Sequence, residues 1–288
     1  MRRNICLGIF LIAVGLVMSD CQKKNGIKGV ELSVSFSEPT LSDKLITDVE
    51  YKWKTTNDFV GFDRDYSIFV RFWHNKNNIF SDNYVPEVAT TKWTKKNEYT
   101  VKRRIYIPPF IDEFDPFFKG DETLRLSAGF YDPADRAGHS ALEVLSKKLK
   151  VFPPPPGTPD VIYGSGWYGL EIDPNSALKE WRWTAKEAKC IIDNSKKDAL
   201  LVIRGSSGFK AAGDQRITFK INDLVLDEFV AGEEIFEKSY NIKKEKLGNK
   251  RDFILTIAVD RTWVPAKVIP NSKDERELGC RISFLYFR

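Results

Sequence analysis

Histidine is nearly absent from this chain: His74 and His139 are the two found in 288 residues. They stand far apart, without a His-x-His or His-Glu-x-x-His spacing, so a zinc site and a Ser-His-Asp triad have little to draw on. A Gly-x-Ser-x-Gly elbow and a phosphate-cradling Gly-Lys-Ser/Thr loop are missing too. "FDRD" at Phe62 to Asp65 and the Gly213-Asp214-Gln215 stretch are far from calcium-loop spacing. No catalytic residue, no metal site and no cofactor is therefore marked. An excess of one charge is also lacking, since 45 Lys and Arg face 40 Asp and Glu for a net +5. The basic residues are scattered among acids, which leaves no nucleic-acid footprint. The uncharged apolar run from Ile5 to Met18 is fourteen residues long, short of the roughly 20 that span a bilayer.

What the N-terminus does contain is a positive start, Arg2 and Arg3, then that apolar run, then Cys21. The pattern resembles the signal peptide of bacterial lipoproteins, with Asp20 standing where that pattern carries a small residue. The resemblance implies cleavage after residue 20, lipidation of Cys21 and export, with a membrane contact made through the lipid; an ordinary cleaved leader and an uncleaved anchor are the alternatives. Gln22 replaces the aspartate that retains some lipoproteins at the inner membrane, which tilts the expectation toward the outer membrane of the cell envelope. Residues 21–28, Cys21 followed by "QKKNGIK", read as a polar, flexible tether.

Beyond Cys6 and Cys21 the chain holds only Cys190 and Cys280. In an exported protein they make either one disulfide or two buried thiols behaving as small hydrophobes, and spacing alone does not choose.

Aromatics are plentiful, at 20 Phe, 10 Tyr and 7 Trp, which suits sheet cores. "FPPPPGTPD" is the clearest boundary: consecutive prolines cannot join a β-ladder and favour stiff polyproline II, so residues 153–160 are predicted to be a linker. Before it, 29–152 reads as short alternating strands. Val30, Leu32, Val34 and Phe36 fall on one face of "VELSVSF", and "DVEYKWK", "YSIFVRFW", "EYTVKRRIYIP" and "ETLRLSAGFYDP" repeat the period. Six or seven such strands predict an immunoglobulin-like sandwich. After the linker, 161–288 continues in strands, with a hairpin legible in "RITFKINDLVLDEFV" turning at Asn222-Asp223. About eight strands predict a jelly-roll-like sandwich. The fold class is all-β, two tandem sandwiches, with single helical turns expected at most in "SALKEW" and "DERE".

The second piece carries Gly166-Trp167, Glu171, Arg182-Trp183-Thr184, the Asn222-Asp223 turn, and Asp274, Arg276, Leu278 and Gly279. In these elements it resembles β-sandwich modules of bacterial envelope proteins and of membrane-bound glycosyltransferase-like proteins. "TTKWTKKNEYTVKRRIYIP" and "LSAGFYDP" liken the first piece, more loosely, to sandwich domains that accompany them. The resemblance implies fold and compartment and brings no catalytic or ligand residue with it.

Two stretches are candidate ligand contacts. "GWYGLEIDPNSALKEWRWT" either stacks a sugar ring on tryptophan, with Glu and Arg bonding hydroxyls, or opens an aromatic core. Trp181 and Trp183 share a strand face, which usually points inward, with Glu171 or Glu180 pairing Arg182 at a strand end, whereas Trp167 among glycines is expected in an exposed loop. In "VRFWHNKNNIFSDNYVP", Trp73, His74 and Tyr84 form either a binding edge or a polar hairpin connection. The expected function is non-catalytic binding or scaffolding at the envelope, with polysaccharide as the first ligand. Contact with other envelope proteins is the competing role, and a glycan hydrolase would require two carboxylates about 5 to 10 Å apart in one cleft.

Overall fold

The computed structural model describes residues 27–135, 141–174, 176–207, 214–232 and 234–288. The leader, Cys21, His139 and most of the tether lie outside them. The chain divides within the proline run into two compact units, Met1–Pro155 and Pro156–Arg288.

The first unit packs two sheets face to face. One has the order β1-β3-β6, from Val30–Phe36, Leu45–Thr55 and Glu98–Ile107; the other joins β2 (Leu41–Ser42), β8 (Leu142–Phe152), β7 (Glu122–Tyr131), β4 (Ser67–His74) and β5 (Asn77–Ser81). All neighbours are antiparallel except β2 and β8, which run parallel. The two-residue period decides which side chains meet between them. Val49, Tyr51 and Trp53 of β3 pack with Ile68, Val70 and Phe72 of β4 and with Leu124, Leu126 and Phe130 of β7. At one margin of this core Asp82 accepts bonds from the Tyr51 hydroxyl at 3.1 Å and from Arg103 Nε at 2.7 Å. Burial first, and the Asp82 carboxylate second, hold the Tyr51 hydroxyl far above its usual range.

The second unit is also two sheets. One has the order β10-β11-β18-β13-β16, from Trp167–Asp173, Ser176–Thr184, Arg281–Phe287, Ala199–Ser206 and Phe236–Ile242. The other has β15 (Leu224–Ala231), β14 (Gln215–Ile221), β17 (Asp252–Val259), β12 (Glu187–Asp193) and β9 (Val161–Tyr163). Leu201, Ile203 and Ile282 from the first meet Ile192, Ile217, Phe219 and Leu255 from the second. The hairpin turns at Asn222, which adopts the left-handed φ of 52° that asparagine tolerates.

"SALKEW" belongs to β11, where Trp181 pairs with Glu171 and Arg182 with Leu170, so cross-strand pairing replaces the expected helical turn. "DERE" is not helical either: its backbone is irregular, and the Asp274 carboxylate takes up the Arg276 amide. Single helical turns occur instead at α1 (Lys244–Leu247) and α2 (Pro265–Val268). Cys190, on β12, and Cys280, just ahead of β18, are free, buried thiols, the second of the two alternatives. Each already has packing of its own: Cys190 faces the core from β12, and Cys280 lies 3.6 Å from the Thr184 hydroxyl.

Candidate functional site

Most of the residues that carry the second unit's resemblance, Glu171, Trp183, Thr184, Asp274, Arg276, Leu278 and Gly279, come together and build a clasp, while the Asn222-Asp223 turn lies elsewhere, at the β14–β15 hairpin. Trp181 and Trp183 do share a face of β11, but it is not the face that enters the main core. With Trp263, Leu278 and Tyr168 they form a separate cluster, in which Trp183 and Trp263 meet edge to face at 5.6 Å. The segment from Trp263 to Leu278 returns to these residues, since its two ends pair with each other and Gly279 bonds to Thr184. Arg182 points the other way, its guanidinium 4.6 Å from the ring centroid of Tyr163 on the opposite sheet.

The expected Glu171–Arg182 ion pair is therefore replaced by Glu171–Arg276 at 2.8 Å, while the Trp181 indole N–H donates to the other Glu171 oxygen at 3.0 Å. Arg276 also grips Asp274 through Nε at 2.9 Å and Nη2 at 2.7 Å, and its guanidinium lies over Tyr168. These bonds hold the Asp274 carboxyl below the usual carboxylate range. Gly166 and Gly279 are required by close approach: a Cβ on the first would overlap the Glu187 carbonyl, and on the second the Ala185 carbonyl. Trp167 is not exposed on a loop. It opens β10 half-buried, donates its indole N–H to the Lys189 carbonyl at 3.1 Å and packs beside Tyr163.

In the first unit the structure separates Tyr84 from the other two expected contacts. The stretch is largely a hairpin, β4 and β5 turning at Asn75-Lys76. Tyr84 bridges to Ile68 at the start of β4, five residues and about 16 Å along the strand from Trp73. Its hydroxyl accepts the Trp53 indole N–H at 2.9 Å and its ring stacks on Tyr51, so it is a core residue whose hydroxyl burial pushes up out of its ordinary range. Trp73 and His74 do stay together. Trp73 is half-buried under the Arg125 guanidinium, 5.5 Å from its ring centroid. The His74 imidazole meets Glu122 at 3.1 Å and leans on Phe110 at 5.2 Å.

Phe110 leads into the β6–β7 loop, which holds the most exposed aromatic side chains among the described residues of the unit. Phe114 is 96% and Phe117 85% exposed. Their exposure is built by two consecutive turns of one design. The Asp112 carboxylate accepts the Phe114 amide at 3.0 Å, and the Asp115 carboxylate accepts the Phe117 amide at 2.8 Å. Backbone bonds close both turns, Asp115 N–H to Asp112 O and Phe118 N–H to Asp115 O, with Pro116 at the position that prefers its fixed φ. At the loop's root, buried Asp43 accepts the amides of Phe110 and Ile111. The sequence carries the signal as a repeat, Asp-x-Phe-Asp-x-Phe in "DEFDPF", which strand periodicity does not register. Leaving two phenyl rings in water forgoes about 1.5–3 kcal/mol each of burial energy, on a loop held by hydrogen bonds at three points.

No protein-family model matches the chain, and no curated protein matches it in sequence. Among solved structures it is similar to a carbohydrate-binding module of the β-sandwich superfamily, at 9% identity and TM-score 0.25, over 92% of this chain and 100% of that one. A surface glycan-binding protein, SGBP-B, from a xyloglucan utilization locus of Bacteroides uniformis gives 7% identity and TM-score 0.26 over 90% and 99%. The same organism's β-glucuronidase 2 gives 10% and 0.30, with this chain spanning 30% of that enzyme. Likenesses this weak carry no argument about what the chain does.

Proposed function

We propose that this chain is a non-catalytic binding protein of the bacterial cell envelope that recognises carbohydrate through the β6–β7 loop of its first unit, tethered by lipid on Cys21. The observation that carries the reading is the pair Phe114 and Phe117, displayed nearly in full on a loop whose backbone is already tied. A phenyl ring offers an apolar face to the C–H face of a pyranose, and a loop ordered in advance loses little entropy on binding. Carboxylates supply the complementary acceptors: Asp112 and Asp115 each spend one oxygen on a turn amide, leaving the second for a ligand hydroxyl. Glu122, at the start of β7, is engaged by His74 at 3.1 Å.

A glycan array probed with the soluble chain beginning at residue 25, beside its Phe114→Ala/Phe117→Ala variant, tests the reading. At least one glycan bound by the first and lost, or weakened tenfold or more, in the equally stable second is expected; equal binding of every glycan, or none by either, refutes it. For the anchor, Cys21→Ala is expected to move the protein from the membrane to the soluble fraction, and retention at the membrane refutes lipidation.

A further inference from the structure

The outer face of the β14–β17–β12 layer in the second unit carries an open groove of about 540 Å³, within the size range of small-ligand clefts. Its floor follows from the pleat. Lys189, Thr256 and Lys220 form one cross-strand row and Ile254 stands in the next, on the side opposite Cys190, Leu255 and Ile221, which enter the core. Ile254 remains 39% exposed there.

Both walls are fixed by asparagine side chains. On one side Asn222 accepts the Ile254 amide at Oδ1, 3.1 Å, and donates its own amide back to the Ile254 carbonyl at 2.7 Å, which pins the Asn222-Asp223 turn to β17. On the other, Asn194 just beyond β12 donates from Nδ2 to the carbonyls of Gly248 at 2.9 Å and Lys250 at 3.1 Å, and Leu247 is buried in the core. The cleft therefore needs little ordering on binding.

Its charges are balanced. Glu187 pairs with Lys189 at 3.0 Å, while Lys220, Lys250, Asp223 and Asp252 make no ion pair among the described residues. Two ammonium groups that only donate thus face a ligand together with two carboxylates that only accept. We infer that this groove binds an uncharged, hydroxyl-rich chain, an oligosaccharide segment, as a second site separate from the Phe114–Phe117 loop. A hydroxyl both donates and accepts, so successive hydroxyls can serve both kinds of wall, and their C–H faces can lie on Ile254. A polyanion meets Asp223 and Asp252 and a polycation meets Lys220 and Lys250, and each is disfavoured. The inference rests on the reading of the chain as a carbohydrate binder and adds a location and a charge class.

Titration calorimetry of the full chain with cellohexaose, laminarihexaose, maltohexaose and mannohexaose tests it, with hexagalacturonate and hexalysine as charged probes. At least one neutral hexasaccharide is expected to bind, and Lys220→Ala/Asp223→Ala to weaken it tenfold or more at unchanged melting temperature. Binding that remains in the Phe114→Ala/Phe117→Ala variant, and is lost when Lys220→Ala/Asp223→Ala is added to it, belongs to the groove. The inference is overturned if no neutral hexasaccharide binds, if a charged hexamer binds more tightly in the groove, or if the groove variant binds as the parent does. Binding lost only in the phenylalanine variant defeats the groove and leaves the loop standing; binding lost only in the groove variant does the reverse.

Discussion

Replacing Arg276 by alanine separates an architectural clasp from a ligand site in the second unit. The substitution removes two charge-assisted bonds to Asp274, one to Glu171 and the guanidinium's contact over Tyr168. Fully desolvated, such bonds are worth about 1.5–3 kcal/mol each. Here the Arg276 side chain is 36% exposed and Glu171 32%, so each ion pair is worth about 0.5 kcal/mol. With roughly 0.5–1 kcal/mol for the cation–π contact, the loss comes to about 2 kcal/mol. For a unit of this size that is a fall of roughly 8 °C in melting temperature. Scanning calorimetry reads it, with the Pro156–Arg288 transition identified by its insensitivity to Asp82→Ala in the other unit. Arg276→Lys keeps the charge and loses the fork, and is expected to fall about halfway. A shift under 2 °C for Arg276→Ala, coupled with lost glycan binding, refutes the clasp and makes these residues a binding site.

Asp82→Ala strands the buried Tyr51 hydroxyl and leaves Arg103 unpaired, and is expected to cost about 3 kcal/mol in urea unfolding of the first unit; Asp82→Asn, which still accepts from Tyr51, is expected to cost less, and a loss below 1 kcal/mol for the alanine variant contradicts the account. Burial pushes the Cys190 thiol up to about 12 and the Cys280 thiol to about 11. Alkylation at pH 8 followed by peptide mass spectrometry is therefore expected to label both only after unfolding. Labelling of the native chain at the rate of a free thiol, or recovery of a bridged peptide, contradicts that.

The strands were legible where one sheet face is buried and the other wet. "VELSVSF" gave β1 residue for residue, and the Asn222-Asp223 hairpin turned where its side chains tolerate positive φ. Alternation fails where polarity does not track the pleat, as in β8, whose Ser146-Lys147-Lys148 interrupts the pattern and hides the strand. Period also states that two residues share a face without stating which face. Trp181 and Trp183 share a face that packs under Trp263 and Leu278, which lie far along the chain and which strand periodicity does not reveal. Tyr84 and Trp73 look adjacent in sequence, yet the chain turns after β4 and returns Tyr84 to that strand's start. The loop signal was of another kind, a repeat of turn chemistry, and period-based reading does not register it.

The most direct test of the account is a ring-by-ring titration of the strongest array glycan against Phe114→Ala, Phe117→Ala and the double variant. Both rings stand in water, so stability should not change, and about 1.4 kcal/mol of stacking per ring predicts a tenfold loss for each and about a hundredfold for both. Affinities within twofold of the parent in all three would contradict a carbohydrate site on this loop.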